Sequence, residues 1–203
     1  GYAELKNVWR DLRQNERLRR FLPAFFIYSM GVQTVMLVAT HFGLTEVKKQ
    51  DGSSMESNEL IVVVLIIQFV AIGGAFLFSH LSKLRGNLFT LKGATLLWSF
   101  ICVFTYFFVY NPGQFYVAAA LVGLVMGGIQ SLSRSTYSKM LPETKDHSSY
   151  FSFYDVCEKL SIVLGLATFG LINEVSETMR TAVLALIGFF ALGFLLLGRV
   201  PKA

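Results

Sequence analysis

The sequence predicts an all-α integral membrane protein, in which an amphipathic surface helix precedes six transmembrane helices arranged as a three-plus-three inverted repeat. Charged residues make up 15% of the 203 residues and hydrophobic ones 54%, whereas soluble domains average about 25% charged residues. Three long stretches, 21–45, 60–82 and 93–133, contain no Asp, Glu, Lys or Arg. Uncharged apolar stretches of this length are typical of membrane spans. A motif that recurs three helices later indicates the repeat.

The first twenty residues differ from the rest of the chain because nine of them are charged. Apolar side chains recur there at the i, i+3, i+4, i+7 spacing of one helix face, at Leu5, Val8, Trp9 and Leu12. Basic residues occupy the other face. This pattern predicts an amphipathic helix over 1–20 that lies on the cytoplasmic membrane surface, with Trp9 in the interface. A solvated basic leader is the alternative interpretation.

The rest of the chain divides into six apolar stretches, each near the twenty-odd residues that cross about 30 Å of hydrocarbon. Polar loops and turns containing Gly, Pro and Asn separate them. The fifth stretch is the most polar, since Asp155, Glu158 and Lys159 fall in its first turns. The predicted spans cover 21–42, 59–82, 88–110, 115–139, 149–173 and 178–197.

The distribution of Lys and Arg predicts that both termini are cytoplasmic, because the cytoplasmic segments of membrane proteins carry an excess of these residues. Fourteen of them fall in the first segment, the second-to-third and fourth-to-fifth connections and the C-terminal segment. The opposite side has only Lys48, Lys49 and Arg180, and Lys159 belongs to neither side.

Composition and motifs argue against several functional classes. The sequence lacks the zinc-protease, nucleophile-elbow and phosphate-loop patterns of common enzymes. Its three histidines are scattered over both sides, which argues against a metal site. Cys102 and Cys157 lie in apolar stretches without a close partner, so we expect reduced, buried thiols. The net charge of +5 sits at the ends and short loops of a hydrophobic chain and does not indicate nucleic-acid binding. We expect no enzymatic activity, no cofactor and no metal.

A four-residue motif links the first and fourth predicted spans. Gly31-Val32-Gln33-Thr34 is followed 97 residues later by Gly128-Ile129-Gln130-Ser131. The second copy lies three spans after the first, so the two copies run in opposite directions. Both glutamines fall near the middle of their spans. This arrangement predicts an inverted-topology repeat of three plus three helices, as in many secondary transporters.

The second copy of the motif lies in a segment that resembles a known family. Residues 127–137, Gly-Gly-Ile-Gln-Ser-Leu-Ser-Arg-Ser-Thr-Tyr, followed by Leu141-Pro142, resemble one branch of the major facilitator superfamily. That branch contains the autophagy-related vacuolar amino-acid effluxers and many bacterial homologues. Phe151-Ser152-Phe153-Tyr154, with Lys159 and Gly165, is similar to a further motif of the same branch. Transporters of this superfamily are built from two six-helix halves.

The resemblance implies that the chain is the C-terminal six-helix half of a transporter in a bacterial inner or cell membrane. Its partners would be the lipid bilayer, a small solute and an N-terminal six-helix half that is missing here. The chain departs from the branch at Met30, where an acidic residue is frequent, and at Lys83, where the superfamily's loop signature has Asp. Amino acids are the solute that the resemblance suggests. A self-contained homodimeric carrier or a non-transporting scaffold is the alternative.

Polar residues inside apolar helices are the candidates for solute binding, because they are costly in hydrocarbon and mark functional interiors. Gln33 and Gln130 each offer an amide donor and a carbonyl acceptor, and Thr34 and Ser131 add hydroxyl groups. The alternative is hydrogen bonding between helices, which contributes about 0.6 kcal/mol on average in membranes. The repeated Gln keeps both interpretations open.

A charged cluster at the predicted cytoplasmic ends of the fourth and fifth spans is the second candidate. Asp155 and Lys159 are i, i+4 neighbours, which predicts an ion pair along one helix. Glu158 is then left over for Arg134 of the preceding span, and we expect Arg134 to lie within reach of a salt bridge, direct or through one water, to Asp155 or Glu158. The cluster is predicted to be either a structural brace of the helical hairpin or a gate with a proton-linked carboxylate.

Overall fold

The computed structural model describes residues 2–142, 147–176 and 178–201, with side chains from residue 8 onward. The described residues form eight α-helices and no β-strand beyond an isolated pairing of Lys48 with Ser54. The side chain of Leu5, which belongs to the predicted amphipathic face, lies outside the described part. So do Lys145 and Lys202, which were counted for the orientation. The helices are α1 (Tyr2–Gln14), α2 (Glu16–Glu46), α3 (Ser57–Arg85), α4 (Asn87–Phe108), α5 (Pro112–Met140), α6 (His147–Val175), α7 (Met179–Ala185) and α8 (Ile187–Gly198).

Five segments of the described chain are long and apolar enough to cross a membrane: α2, α3, α4, α5 and the α7–α8 pair. The predicted class of all-α membrane protein is therefore confirmed. Helix α6, which contains the predicted fifth span, has 29 residues but is not among the five. It carries Asp155, Glu158 and Lys159 in its first half. The predicted fifth span, in α6, and the inverted three-plus-three repeat stay predictions.

Most helix boundaries differ from the sequence prediction by a few residues, and two of the differences have a clear local cause. The first membrane helix begins at Glu16, because the side chain of Asn15 accepts hydrogen bonds from two N–H groups of the first turn at 3.0 and 3.3 Å. The last predicted span consists of two helices that meet at Leu186. The N–H of that residue bonds to the carbonyl of Val183, three residues back, which tightens the chain at this point.

The apolar face of α1 packs against protein. Val8 is 5% exposed and Leu12 is 1% exposed. The half-exposed ring of Trp9 stacks on Phe153 of α6, with 5.8 Å between the ring centroids. The amphipathic pattern is therefore satisfied by the helical bundle itself, and a position of Trp9 in the membrane interface stays a prediction.

Helices α3 and α5 pack backbone against backbone along a row of glycines. A methyl group on Gly127 would overlap the carbonyl of Ala71, and one on Gly74 would overlap the carbonyl of Leu124. At Gly123 an added methyl would lie 2.6 Å from the carbonyl oxygen of Ile67. Small residues permit this close approach. In lipid, helices associate through van der Waals packing of this kind, because no hydrophobic effect acts between them.

Burial differs among the spans. More than half of the apolar window of α2 and of α5 is buried, against 22% for α3. The outward faces of α3, α4 and α8 present large apolar side chains, including Phe76 and Leu195. Such faces suit contact with lipid. The two most buried spans are those that carry Gln33 and Gln130. The side chain of Gln33 is half-buried and that of Gln130 is exposed.

Arg180, at the start of α7, joins the carboxyl-terminal ends of α2 and α4. Its guanidinium donates hydrogen bonds to the carbonyls of Thr105, Tyr106 and Val109 at 2.8, 3.0 and 2.7 Å. Its Nε lies 3.6 Å from a carboxylate oxygen of Glu46. The last carbonyls of a helix lack partners within that helix and carry partial negative charge, so a buried cation stabilises them.

Candidate solute-binding site

Gln33 of α2 and Gln130 of α5 line one small cavity between α2, α5 and α6. The space that the lining residues enclose is about 10 Å³, which is room for roughly one water molecule. Other polar groups reach the same cavity from all three helices. The full lining consists of Phe25, Tyr28, Ser29, Val32, Gln33, Ile129, Gln130, Ser133, Tyr154 and Glu158.

Glu158 of α6 is the charged group of this cavity. Its carboxylate accepts a hydrogen bond from the side-chain amide of Gln33 at 3.0 Å. The sequence analysis assigned Glu158 to Arg134, and that assignment is wrong: within the described residues Glu158 forms no salt bridge. One amide donor does not offset the cost of a carboxylate in an apolar helix. A cationic group would complete the site.

Tyr28 and Ser133 connect α2 to α5 beside the glutamines. The hydroxyl of Ser133 donates to the carbonyl of Ile129 at 2.6 Å. Its oxygen is therefore free to accept from the Tyr28 hydroxyl, 2.7 Å away. The ring of Tyr154 closes the cavity by stacking on Phe25, with centroids 4.4 Å apart. These contacts hold the three helices in register around the polar groups.

The two hydroxyl residues predicted for solute binding do not line the cavity. Thr34 is fully buried, and its hydroxyl donates to the carbonyl of Met30 at 2.6 Å. A methyl group added to Gly165 of α6 would lie 2.6 Å from the hydroxyl oxygen of Thr34. Thr34 therefore belongs to the contact between α2 and α6. Ser131 is exposed and donates to the carbonyl of Gly127 at 2.9 Å. Adjacent helical positions point about 100° apart, which explains why each hydroxyl turns away from its glutamine.

The charged cluster is present, and Arg134 contacts Asp155, one of its two predicted partners. Arg134 contacts Asp155 across the α5–α6 hairpin, with 3.4 Å between nitrogen and oxygen. The predicted pair of Asp155 with Lys159 is wrong, because Arg134 takes that carboxylate and the side chain of Lys159 is exposed. The guanidinium of Arg134 lies over the rings of Phe151 and Tyr154, at 5.4 and 5.7 Å. These rings direct it towards Asp155.

Sequence reasoning missed several residues of the site. Tyr28 and Ser29 lie about one turn before Gln33 on α2, and Ser133 lies three residues after Gln130 on α5. Helical spacing of three or four residues from a glutamine was the available signal for Ser29 and Ser133. Among the described residues, no cluster of three or more His, Cys, Asp or Glu side chains is suited to hold a metal ion.

A comparison with known families decides the kind of protein to which this site belongs. The model of the family described as "Vacuole effluxer Atg22 like" matches residues 1–203. The chain belongs to this family. The resemblance seen at residues 127–165 is therefore confirmed over the whole length of the chain.

The relatives include a protein named as a transporter and proteins named for autophagy. YxiO of Bacillus subtilis (strain 168), named as an uncharacterized MFS-type transporter, is 27% identical over 202 residues, which cover 100% of this chain and 45% of that protein. Autophagy-related protein 22 of Vanderwaltozyma polyspora is 30% identical over 220 residues, covering 98% of this chain and 39% of that protein. The corresponding protein of Yarrowia lipolytica is 27% identical over 192 residues, 90% of this chain and 31% of its own length. The chain spans less than half the length of these relatives.

Proposed function

We propose that the chain is the C-terminal half of a secondary transporter that moves a small solute across the membrane by alternating access. The observation that carries the proposal is the cavity between three helices that Gln33, Gln130 and Glu158 line, where the amide of Gln33 donates to the carboxylate of Glu158. Polar groups of this kind inside apolar spans mark solute and ion pathways. The name of the Bacillus subtilis relative, an MFS-type transporter, and the description of the family as vacuole effluxer-like agree with this function.

The chemistry of the cavity fits a zwitterionic solute such as an amino acid. Glu158 provides a carboxylate without a cationic partner among the described residues, which suits an ammonium group. The amides of Gln33 and Gln130 can donate hydrogen bonds to a carboxylate and accept them through their carbonyl oxygens.

The cavity provides only one wall of the proposed site. Ligand pockets commonly have volumes of about 300–1,000 Å³, far more than the 10 Å³ enclosed here. The other wall would come from an N-terminal half, since the relatives are more than twice as long as this chain. A site between two halves, near the midplane of the membrane, is the arrangement that alternating access requires.

The contact of Arg134 with Asp155 is proposed as a gate at the predicted cytoplasmic end. Both side chains are about half exposed, and one nitrogen–oxygen contact of 3.4 Å joins them. A gate must be more favourable in one access state than in the other. An exposed pair of this kind contributes at most about 1 kcal/mol, so it can form and break without unfolding the hairpin.

The experiment that tests the proposal is transport by the full-length protein in proteoliposomes. A mixture of radiolabelled amino acids is the first probe, and labelled sugars are the second. We expect Gln33→Leu, Gln130→Leu and Glu158→Gln each to reduce the initial rate by about tenfold or more, because each removes a group worth roughly 1.5–3 kcal/mol to a charged partner. The matched control is Gln68→Leu, since Gln68 lies in a membrane span of α3 with its side chain exposed, outside the cavity.

Two results would contradict the proposal. The first is a loss of transport in Gln68→Leu as large as the loss in the cavity variants. The second is full transport in all three cavity variants, which would place the solute elsewhere. Transport of sugars and not amino acids would retain the site and reject the zwitterion.

A further inference from the structure

A second cavity, of about 630 Å³, lies at the end of the bundle where α4 begins and α5 and α8 end. It is separate from the candidate solute site, because it is bounded by the outer helices α4 and α8 and not by α6. The charge count predicts that this end faces the cytoplasm. The cavity therefore lies at the depth where phospholipid headgroups meet the protein.

Four cations line this cavity: Arg17, Arg85, Lys92 and Lys139. No Asp or Glu is among its described lining residues, and none of the four forms a salt bridge within the described chain. Like charges grouped around one space repel each other, so a bound anion would stabilise the group. Proteins use cavities of this composition at the cytoplasmic side of membrane helices to bind anionic headgroups.

The contacts of the four cations leave hydrogen-bond donors available. The Nε of Arg17 is buried without a hydrogen-bond partner. The ammonium of Lys139 donates to the neutral side chain of Asn87 at 3.2 Å, and the guanidinium of Arg85 lies over the ring of Phe89 at 5.6 Å. Neither contact neutralises the charge. Each cation therefore retains donors for the oxygens of an anion.

The first turn of α4 adds backbone donors to the same cavity. Its cap residue, Gly86, has no side chain to accept hydrogen bonds from the first N–H groups, and Leu88 and Phe89 of this turn line the cavity. The N-terminus of a helix carries partial positive charge and unsatisfied N–H groups, which favour phosphate. The helix end and the four cations thus act on the same space.

Apolar faces lead from the cavity along the membrane-spanning part of the bundle. Phe89 and Leu96, two helical turns apart on α4, are each 54% exposed, and Leu195 on α8 is 63% exposed. These side chains suit the acyl chains of a lipid whose headgroup occupies the cavity. We propose that this cavity binds a phosphate-bearing anion, and that the headgroup of an anionic phospholipid is the source of that phosphate.

The test is binding of phosphatidylglycerol to the full-length protein, purified in neutral detergent and titrated while bound lipid is counted by native mass spectrometry. Each cation near an anionic headgroup is worth about fivefold in affinity. We expect Lys92→Gln and Lys139→Gln each to weaken binding by about fivefold and the double variant by about 25-fold. Lys83→Gln is the matched control, because Lys83 is an exposed cation at the same end of the bundle that does not line the cavity.

Competition with inorganic phosphate at about 10 mM distinguishes the two sources of the anion. If lipid stays bound in the presence of phosphate, and the double variant binds less lipid, the phospholipid is the source of the anion. If phosphate displaces the lipid, and the double variant also binds less phosphate, the cavity is a site for a soluble phosphate compound. Equal lipid binding by the double variant and Lys83→Gln would overturn the proposal. Solute transport is measured separately, so failure here would leave the proposed function unaffected.

Discussion

The two ends of the bundle each use an arginine to join helices, and the two arginines are held in opposite ways. Arg180 is 10% exposed in its side chain, donates to carbonyls at the ends of α2 and α4, and lies 3.6 Å from the carboxylate of Glu46. Arg134 is 54% exposed and makes one contact with Asp155 at 3.4 Å. The guanidinium of Arg180 also lies 4.2 Å from the centroid of the Tyr110 ring.

This difference separates a fixed end from an adjustable one. A buried guanidinium that satisfies several carbonyls cannot leave without exposing unpaired polar groups, which is costly in a low-dielectric interior. An exposed single contact is exchanged for water at little cost. In the proposed transporter the end with Arg180 would therefore hold α2, α4 and α7 together, while the end with Arg134 would respond to the access state.

The largest expected effect is on stability, in Arg180→Gln. Removing the guanidinium leaves the carbonyls of Tyr106 and Val109 without their side-chain donor and Glu46 without its cation. We expect a loss of about 3–5 kcal/mol in the free energy of unfolding, measured by denaturation of the full-length protein in mixed micelles. Glu46→Gln serves as the control for the ion pair alone and should cost less than half as much. Equal costs would show that the ion pair, and not the capping of carbonyls, provides the stability.

A smaller stability effect and a larger functional one are expected for Arg134→Gln. Loss of one exposed contact with Asp155 should change the free energy of unfolding by less than about 1 kcal/mol. The transport rate should change, because the pair would favour one access state. Purified yield and initial rates in proteoliposomes are the two measurements. If Arg134→Gln abolishes expression and Asp155→Asn restores it without altering transport kinetics, the pair is a structural brace and the gating role is wrong.

The smallest effect is expected in the loop between α2 and α3, where the pKa of Lys49 is raised because its ammonium donates to Glu56 and Glu59. Its contribution is present below the ordinary lysine pKa of about 10.4 and is lost as the pH rises through the higher folded value. Hydrogen bonds from Ser53 lower the pKa of Asp51, so its contribution is present above about pH 3.9 and is lost as the pH falls through the lower folded value.

The pH dependence of unfolding should therefore be the same in Lys49→Gln and the unchanged protein between about pH 5 and 9. The unfolding midpoint, followed by intrinsic fluorescence across this interval, is the measurement. Curves that diverge near neutral pH would show that Lys49 interacts with a group that titrates there, contrary to the account.

Local signals in the sequence predicted the class of protein, the helices and the two glutamines of the cavity. Uncharged apolar runs are decisive for membrane spans because charged side chains are so costly in hydrocarbon. The positions of Gln33 and Gln130 were readable since a repeated motif marks corresponding helices. Thr34 and Ser131 were wrongly grouped with them on the basis of adjacency, although neighbouring positions on a helix face different directions.

The partners of the charged residues could not be predicted, because they depend on how helices cross. Spacing along α6 favoured Asp155 with Lys159, yet Arg134 from α5 reaches that carboxylate. Arg180 was counted as one cation of a connecting segment. Its role requires the ends of α2 and α4 to converge on α7, which no pattern within a single helix specifies.

The measurement that tests the central claim most directly is protection of position 130 by solute. In a full-length background with Cys102→Ala and Cys157→Ala, Gln130→Cys provides a thiol beside Gln33 and Glu158. A solute that this variant transports, at ten times the half-saturating concentration measured for the variant itself, should slow alkylation of this thiol about tenfold. Ser138→Cys, exposed on the same helix away from the cavity, should react at an unchanged rate. Equal alkylation of Gln130→Cys with and without solute, while transport remains saturable, would contradict a binding site between α2, α5 and α6.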